Sequence, residues 1–201
     1  MPSYSAIAPQ RLNLFYIQEP DRSLWAAQTD APLPPKLAHA AAFSRQARPV
    51  AATYARHMFL APAPHLALAP NGVTILANRL SGGKRVVRLV LHGAADMLTL
   101  RLPGRVGLTE IKVGHTSVAV PASWKHQSEV AIGCLTPDCG STGMRLVMDQ
   151  RGPFMLTLVA RTLKLPAQAR ALMAARGNIA VPSTYGDGTL QIVPIAIPAA
   201  F

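Results

Sequence analysis

The residues of this chain that can bind a metal, attack a carbonyl or carry a proton are two cysteines, six histidines and nine carboxylates. The histidines, His39, His57, His65, His92, His115 and His126, are isolated in sequence. None forms the His-Glu-x-x-His or His-x-His spacing that puts two imidazoles on one face of an element, so no zinc site is readable. Most of the carboxylates (Glu19, Asp21, Asp30, Asp96, Glu110, Glu129, Asp138, Asp149 and Asp187) fall in turns or at outward strand positions. A solvated carboxylate is the ordinary reading there. Gly140-Ser141-Thr142-Gly143 has the look of a nucleophile motif, but a nucleophile elbow joins a strand to a helix and a strand is expected to follow here. Ser81-Gly82-Gly83-Lys84 lacks the spacing of a phosphate loop and reads as a hairpin turn. Trp25 and Trp124, with Tyr16, Tyr54 and Tyr185, are the flat rings available for stacking on a sugar. In a chain with only 5% aromatic residues, such rings are more often core, so Trp25 and Trp124 form a weak candidate binding surface.

Cys134 and Cys139 flank Leu-Thr-Pro-Asp between two alternating stretches. Before the turn, Val130, Ile132 and Cys134 share a face; after it, Met144, Leu146 and Met148 do. Pro137-Asp138 supplies the reversal. A bridge across so short a loop stabilises by only about 2 kcal/mol on the chain-entropy model. Its larger meaning is an oxidising compartment. A zinc half-site and two free thiols are the alternatives, and zinc needs two further soft ligands that no second cysteine pair supplies. No cofactor is implied.

Composition bounds the partners. Lys and Arg number 20 against 9 acids, a net charge of +11. The basic residues are scattered singly, at Arg11, Arg22, Lys36, Arg45, Arg56, Arg79 and onward, with Lys84-Arg85 the one adjacent pair. Nothing resembles a recognition helix, an aromatic RNP strand or a basic arm, so nucleic acid is the least favoured partner. Ordinary solubilising charge comes first and proximity to anionic lipid second. No apolar run reaches the roughly 18 residues of a membrane span, and the start, Met1-Pro-Ser-Tyr-Ser-Ala, lacks the features of a secretory signal. A fragment of a longer chain, or a mature protein already trimmed, reconciles that start with an oxidising compartment.

The elements that position these residues are short. Eighteen prolines punctuate the apolar runs, which opposes long helices and suits short strands. Arg11–Gln18 alternates with Leu12, Leu14 and Tyr16 on one face, and Ser23–Gln28 pairs back through Glu19-Pro20-Asp21-Arg22. Lys84–His92 places Val87, Leu89 and Leu91 inward and Lys84, Arg88 and His92 outward. Met97–Leu102, Thr109–Val113, Phe154–Ala160 and Leu190–Ile195 add further strands. Ala167–Arg176 is the clearest helix, started by Pro166 and stopped by Gly177. The expected fold is all-β, a single domain over residues 1–201: an antiparallel β-sandwich of roughly eight to ten strands with one or two short helices. An irregular Pro-rich connection is expected at about 31–70, with a short helix over Lys36–Ser44.

Several segments together resemble the C-terminal region of bacterial membrane-anchored zinc aminopeptidases, a branch related to the endoplasmic reticulum metallopeptidases. They are Arg11-Leu-Asn-Leu-Phe-Tyr-Ile-Gln18 followed by Leu24-Trp25, the Cys134/Cys139 hairpin, Leu165-Pro166 with Ala174-Ala175-Arg176, and Val181-Pro-Ser-Thr-Tyr-Gly-Asp-Gly-Thr189. The resemblance implies a non-catalytic accessory or scaffolding domain, on the periplasmic or extracytoplasmic side of the inner membrane. Its implied partners are the peptidase and transmembrane parts of its own parent chain and an anionic membrane surface. The family's zinc-ligand motifs do not occur here, so no catalytic residue is carried over. The alternative is a free-standing secreted module that binds polysaccharide or peptide.

Overall fold

The computed structural model describes residues 4–50, 56–135, 141, 143–184 and 186–200. The chain is mostly β and divides into two compact units, one of residues 1–67 and 161–191 and the other of 68–160 and 192–201.

In the first unit, β2 (Asn13–Gln18) and β3 (Ser23–Gln28) form the expected antiparallel hairpin, with Gln18 opposite Ser23. The Glu19 N–H donates to Arg22 O across the turn at 2.9 Å, and the Arg22 guanidinium pairs with Glu19. β5 (Arg56–Pro62) pairs with β3, and β4 (Arg48–Val50) pairs with β5. On the other side of β2 lies the start of β15 (Gly188–Ile197), which runs parallel to it. β2 is thus central, and all six of its residues are buried. The alternation read from the sequence, with one face of Leu12, Leu14 and Tyr16, misses that Phe15 and Ile17 are buried as well. A second parallel pair joins β1 (Gln10–Arg11) to β14 (Ala180–Val181). Parallel neighbours need long crossovers, and local alternation carries no trace of them; here the fold departs from a purely antiparallel one.

The helix starts as a 3₁₀ turn at Ala167–Ala169 and continues as α2 (Arg170–Arg176), after α1 (Pro35–Ala40). Pro166 precedes the turn, and Gly177 ends α2 at φ 65°, a left-handed conformation that glycine adopts without penalty. The 31–70 stretch carries α1, β4 and β5, and so is more ordered than its proline content implies. Prolines sit at the margins of these elements or on the short β4, where a missing N–H costs little.

The second unit is built around β6 (Gly72–Ser81), β7 (Lys84–His92), β9 (Leu108–Val113), β10 (Thr116–Val118) and β12 (Gly143–Met148), in the order β10-β9-β12-β7-β6. All four pairings are antiparallel. Beside them in the same unit run β8 (Met97–Pro103), β11 (Glu129–Cys134) and all but the last two residues of β13 (Phe154–Thr162), in the order β11-β8-β13. The positions expected to point inward do so. Val87, Leu89 and Leu91 join Leu98, Leu100 and Leu102, with Met144, Leu146 and Met148, in one apolar core. Each such side chain contributes about 1.5–3 kcal/mol when fully buried.

The Ser81–Lys84 turn is the tight hairpin that the glycines predict: Gly82 and Gly83 stand at φ 58° and 77°, joining β6 to β7 with Ser81 opposite Lys84. Positive φ at both central positions matches the right-handed strand twist. Fifteen strands occur among the described residues, more than the eight to ten expected. β1, β4, β10 and β14 have two or three residues each, too few to show alternation. In β6 a register shift between Ile75 and Ala77 breaks the phase that alternation depends on.

Candidate functional site

Three of the four resemblance segments meet in the first unit through their polar side chains. Asn13 on β2 donates from Nδ2 to Ser183 Oγ at 2.8 Å and accepts the Ser183 N–H at 2.7 Å. One residue along, the Leu14 N–H donates to Asp187 Oδ1 at 2.8 Å. Arg176, on the last turn of α2, holds both oxygens of that carboxylate at 2.8 Å from Nη1, and its Nη1 also lies 3.4 Å from Leu12 O. Arg176 and Asp187 are only 12% and 16% exposed, so the charges need each other. Thr189 Oγ1 donates to Lys164 O at 2.7 Å. The β2–β3 hairpin, the helix and the 181–189 segment are therefore bolted together by residues separated by up to about 170 positions. Every polar atom named here is engaged within the unit. The arrangement fixes chain paths.

A groove of about 560 Å³ opens next to this network, lined by Leu163, Lys164, Leu165, Met173, Pro182 and Asp187 among others. A second, of about 670 Å³, lies between the segment after β3, α1 and β5, with Phe43, Phe59, Arg45, His57 and Asp30 in its walls.

The predicted stacking residues fare differently. Trp25 is 7% exposed, with its ring edge-to-face on Tyr16 at 5.1 Å and 62°. Such a pair belongs to the core, so Trp25 offers no surface to a sugar. The Tyr16 hydroxyl lies 2.6 Å from Gln18 Oε1 and 2.8 Å from Pro64 O, and accepts the Leu66 N–H at 3.1 Å. Trp124, in a 3₁₀ turn at Ala122–His126, is half-buried and packs on the core of the second unit. Tyr54, Tyr185, Asp138, Gly140, Thr142 and Cys139 lie outside the described residues, and with them the pairing of Cys134 with Cys139. Cys134 itself ends β11, partly buried against the same core.

Among the histidines, His65 Nδ1 lies 3.2 Å from Ser23 Oγ, the spacing of a hydroxyl and its base. Ser23 is buried at 7% exposure, and no carboxylate among the described residues is hydrogen bonded to His65. A nucleophile needs access and an oriented base, and this pair has neither. His39 turns back along its own helix, with Nδ1 2.6 Å from Pro35 O. Among the described residues no group of three His, Cys, Asp or Glu is placed to hold a metal ion. No helix among them is long and apolar enough to cross a membrane.

The residue that sequence reading passed over is Arg85. It is fully buried in the second unit with its guanidinium 5.0 Å from the Phe154 ring centroid. Nε donates to Asn78 Oδ1 at 2.8 Å and Nη1 to Gly152 O at 2.6 Å, while Nη2 donates to Pro198 O. Burial lowers its pKa, yet a guanidinium stays protonated in proteins. Carbonyl oxygens and a ring face thus replace a counter-ion. Parity along β7 was the signal: if Val87, Leu89 and Leu91 point inward, so does Arg85.

No protein-family model matches this sequence, and neither does any curated protein.

Proposed function

We propose that this chain is a non-catalytic accessory domain of a membrane-anchored zinc aminopeptidase, a β-sandwich held on the extracytoplasmic face of the membrane with Cys134 and Cys139 bridged. The observation that carries the reading is the network of Asn13, Ser183, Arg176, Asp187 and the Leu14 N–H. The residues behind the resemblance, from three separate parts of the chain, bond to one another. That is what a shared scaffold requires and what a shared reaction does not. The domain works by packing against the peptidase part, restricting substrate access or engaging a partner.

The test is to read the genomic frame upstream of the Met1 codon and to assay the purified chain. A continuous frame encoding apolar spans, and before them a zinc-peptidase site, supports the reading. Bound zinc together with aminopeptidase activity in the 201-residue chain overturns it. Alkylation of the unreduced protein should label no thiol; two labels remove the bridge and the compartment inferred from it.

The second reading, a free-standing secreted binding module, draws on the groove with Phe43 and Phe59 in its walls. Apolar rings beside a few polar groups are what peptide-binding grooves offer. It gains nothing from Trp25, which is buried.

A further inference from the structure

Four of the cations that are scattered along the sequence, Arg79, Arg88, Lys112 and Arg145, share one face of the second unit. In the β10-β9-β12-β7-β6 sheet, Lys112 on β9 is directly opposite Arg145 on β12, and Arg145 is directly opposite Arg88 on β7. Residues directly opposite in an antiparallel pair point to the same side. The inward side is occupied by Val87, Leu89, Met144, Leu146 and Ile111, so the three cations stand outward. They form a row perpendicular to the strands, with about 10 Å between the first and third strands. Arg79, opposite Val86, stands on the same side. Glu110 is paired with Arg145, and farther along the same side Asp149 is paired with Lys84, so Arg88 and Lys112 have no ion-pair partner among the described residues.

Like charges directly opposite one another destabilise a sheet, and three in succession do so twice. Solubility needs no such arrangement, because spaced charges serve it equally well. Between the cations lie Val86 and Val147, which are nearly covered; aliphatic stems over an apolar strip leave the charged ends outermost. At the β6 end of the row, Leu76 is the extra residue of the bulge and is 58% exposed. None of the five strands contains Phe, Tyr or Trp, so the face has no platform on which bases or sugar rings stack.

We infer that this outer sheet face docks on a bilayer rich in anionic phospholipid. Lys112, Arg145 and Arg88 lie against the phosphate layer, and Leu76 reaches toward the acyl boundary. The charge is complementary, the face is a sheet that can lie along a surface, and an exposed leucine beside a cation row suits lipid better than a hydrated polyanion. The choice of a bilayer rests on the accessory-domain reading above; the row itself does not.

The experiment is vesicle co-sedimentation of the full 201-residue chain, with phosphatidylglycerol–phosphatidylcholine vesicles beside pure phosphatidylcholine. The native chain should bind only the anionic vesicles. R88T/R145T/K112T should bind on the order of a hundredfold more weakly, at about a fivefold loss per cation. R88K/R145K keeps the charges and should bind as the native chain does. E110Q removes the acid beside the row and should bind about fivefold more tightly, a gain that misfolding does not produce. A control, R11S/K36S/R170S, removes three exposed cations of the first unit and should leave binding nearly unchanged. Equal loss in the control and the row variant overturns the inference, as does absence of any preference for anionic vesicles. Retention of single-stranded RNA that the row variant alone loses, without vesicle binding, assigns the face to nucleic acid instead. If vesicle binding fails while the upstream frame encodes a peptidase, only the docking face falls. Vesicle binding without such a frame keeps the face and removes the parent.

Discussion

Arg176 grips both carboxylate oxygens of Asp187 from one nitrogen, at 2.8 Å each, while Asp187 also receives the N–H of Leu14. A single carboxylate thereby ties the end of α2 to the central strand of the first unit. Removing one partner of a nearly buried pair strands the other charge. Asp187→Ala should destabilise the protein by about 3 kcal/mol, read as a lower urea midpoint with an unchanged m-value. Asp187→Asn should recover part of that loss, since its amide oxygen still accepts the Leu14 N–H. A D187A variant as stable as the native chain would show that the network is ornamental.

Arg85 reaches Asn78, Gly152 and Pro198 in three directions. Asn78 Oδ1 and Gly152 O lose the Arg85 donor in Arg85→Met, while Pro198 O keeps the Asn78 Nδ2 donor at 3.0 Å, and the expected cost is about 2–4 kcal/mol. Arg85→Lys should not rescue it, because an ammonium is a compact charge without the planar fork. Thermal unfolding of the two variants checks this; a lysine variant equal to the native chain would mean that charge alone matters at this position.

At the β6–β7 hairpin, Gly82 and Gly83 have open space where a Cβ would be, so only backbone strain opposes substitution. Gly83→Val should cost about 1–2 kcal/mol, whereas Gly82→Asn should be nearly neutral because asparagine tolerates the left-handed region. Chemical denaturation of both variants separates strain from packing, and equal losses would point to a contact rather than to φ.

Asp149 carries a pH dependence whose sign follows from its partner. The hydrogen bond from Lys84 holds its carboxyl below the usual carboxylate range, with the nearby Lys125 adding to the effect. A depressed folded-state pKa means that the contribution is complete above the unfolded value and disappears as pH falls through the folded one. Both side chains are nearly half exposed, at 47% and 45%, so the stability at stake is under about 1 kcal/mol. A carboxyl NMR titration should show Asp149 protonating at unusually low pH, and Lys84→Met should return it toward the ordinary value. No change in K84M would assign the shift to another cause.

How much of this was legible in the chain differs by element. The β2–β3 hairpin, the Ser81–Lys84 turn and the helix ended by Gly177 are local features, and their residues announce them. The inward positions of β7, β8 and β12 were equally readable, because alternation on a half-buried sheet has a period of two. β6 was not, since its bulge breaks that period.

The sequence by itself determined the strand-rich character, the turns that glycine and proline impose and the composition of the second unit's core. Tertiary structure decided what the polar residues do. Trp25 became core because β2 and β3 pair, and Arg85 became a clamp because Gly152 O and Pro198 O, from distant parts of the chain, meet Asn78 on it. Lys112, Arg145 and Arg88, far apart in sequence, became one row because the registers of three strands align them. Register between distant strands depends on the packing of the whole sheet, and no window of neighbouring residues contains it.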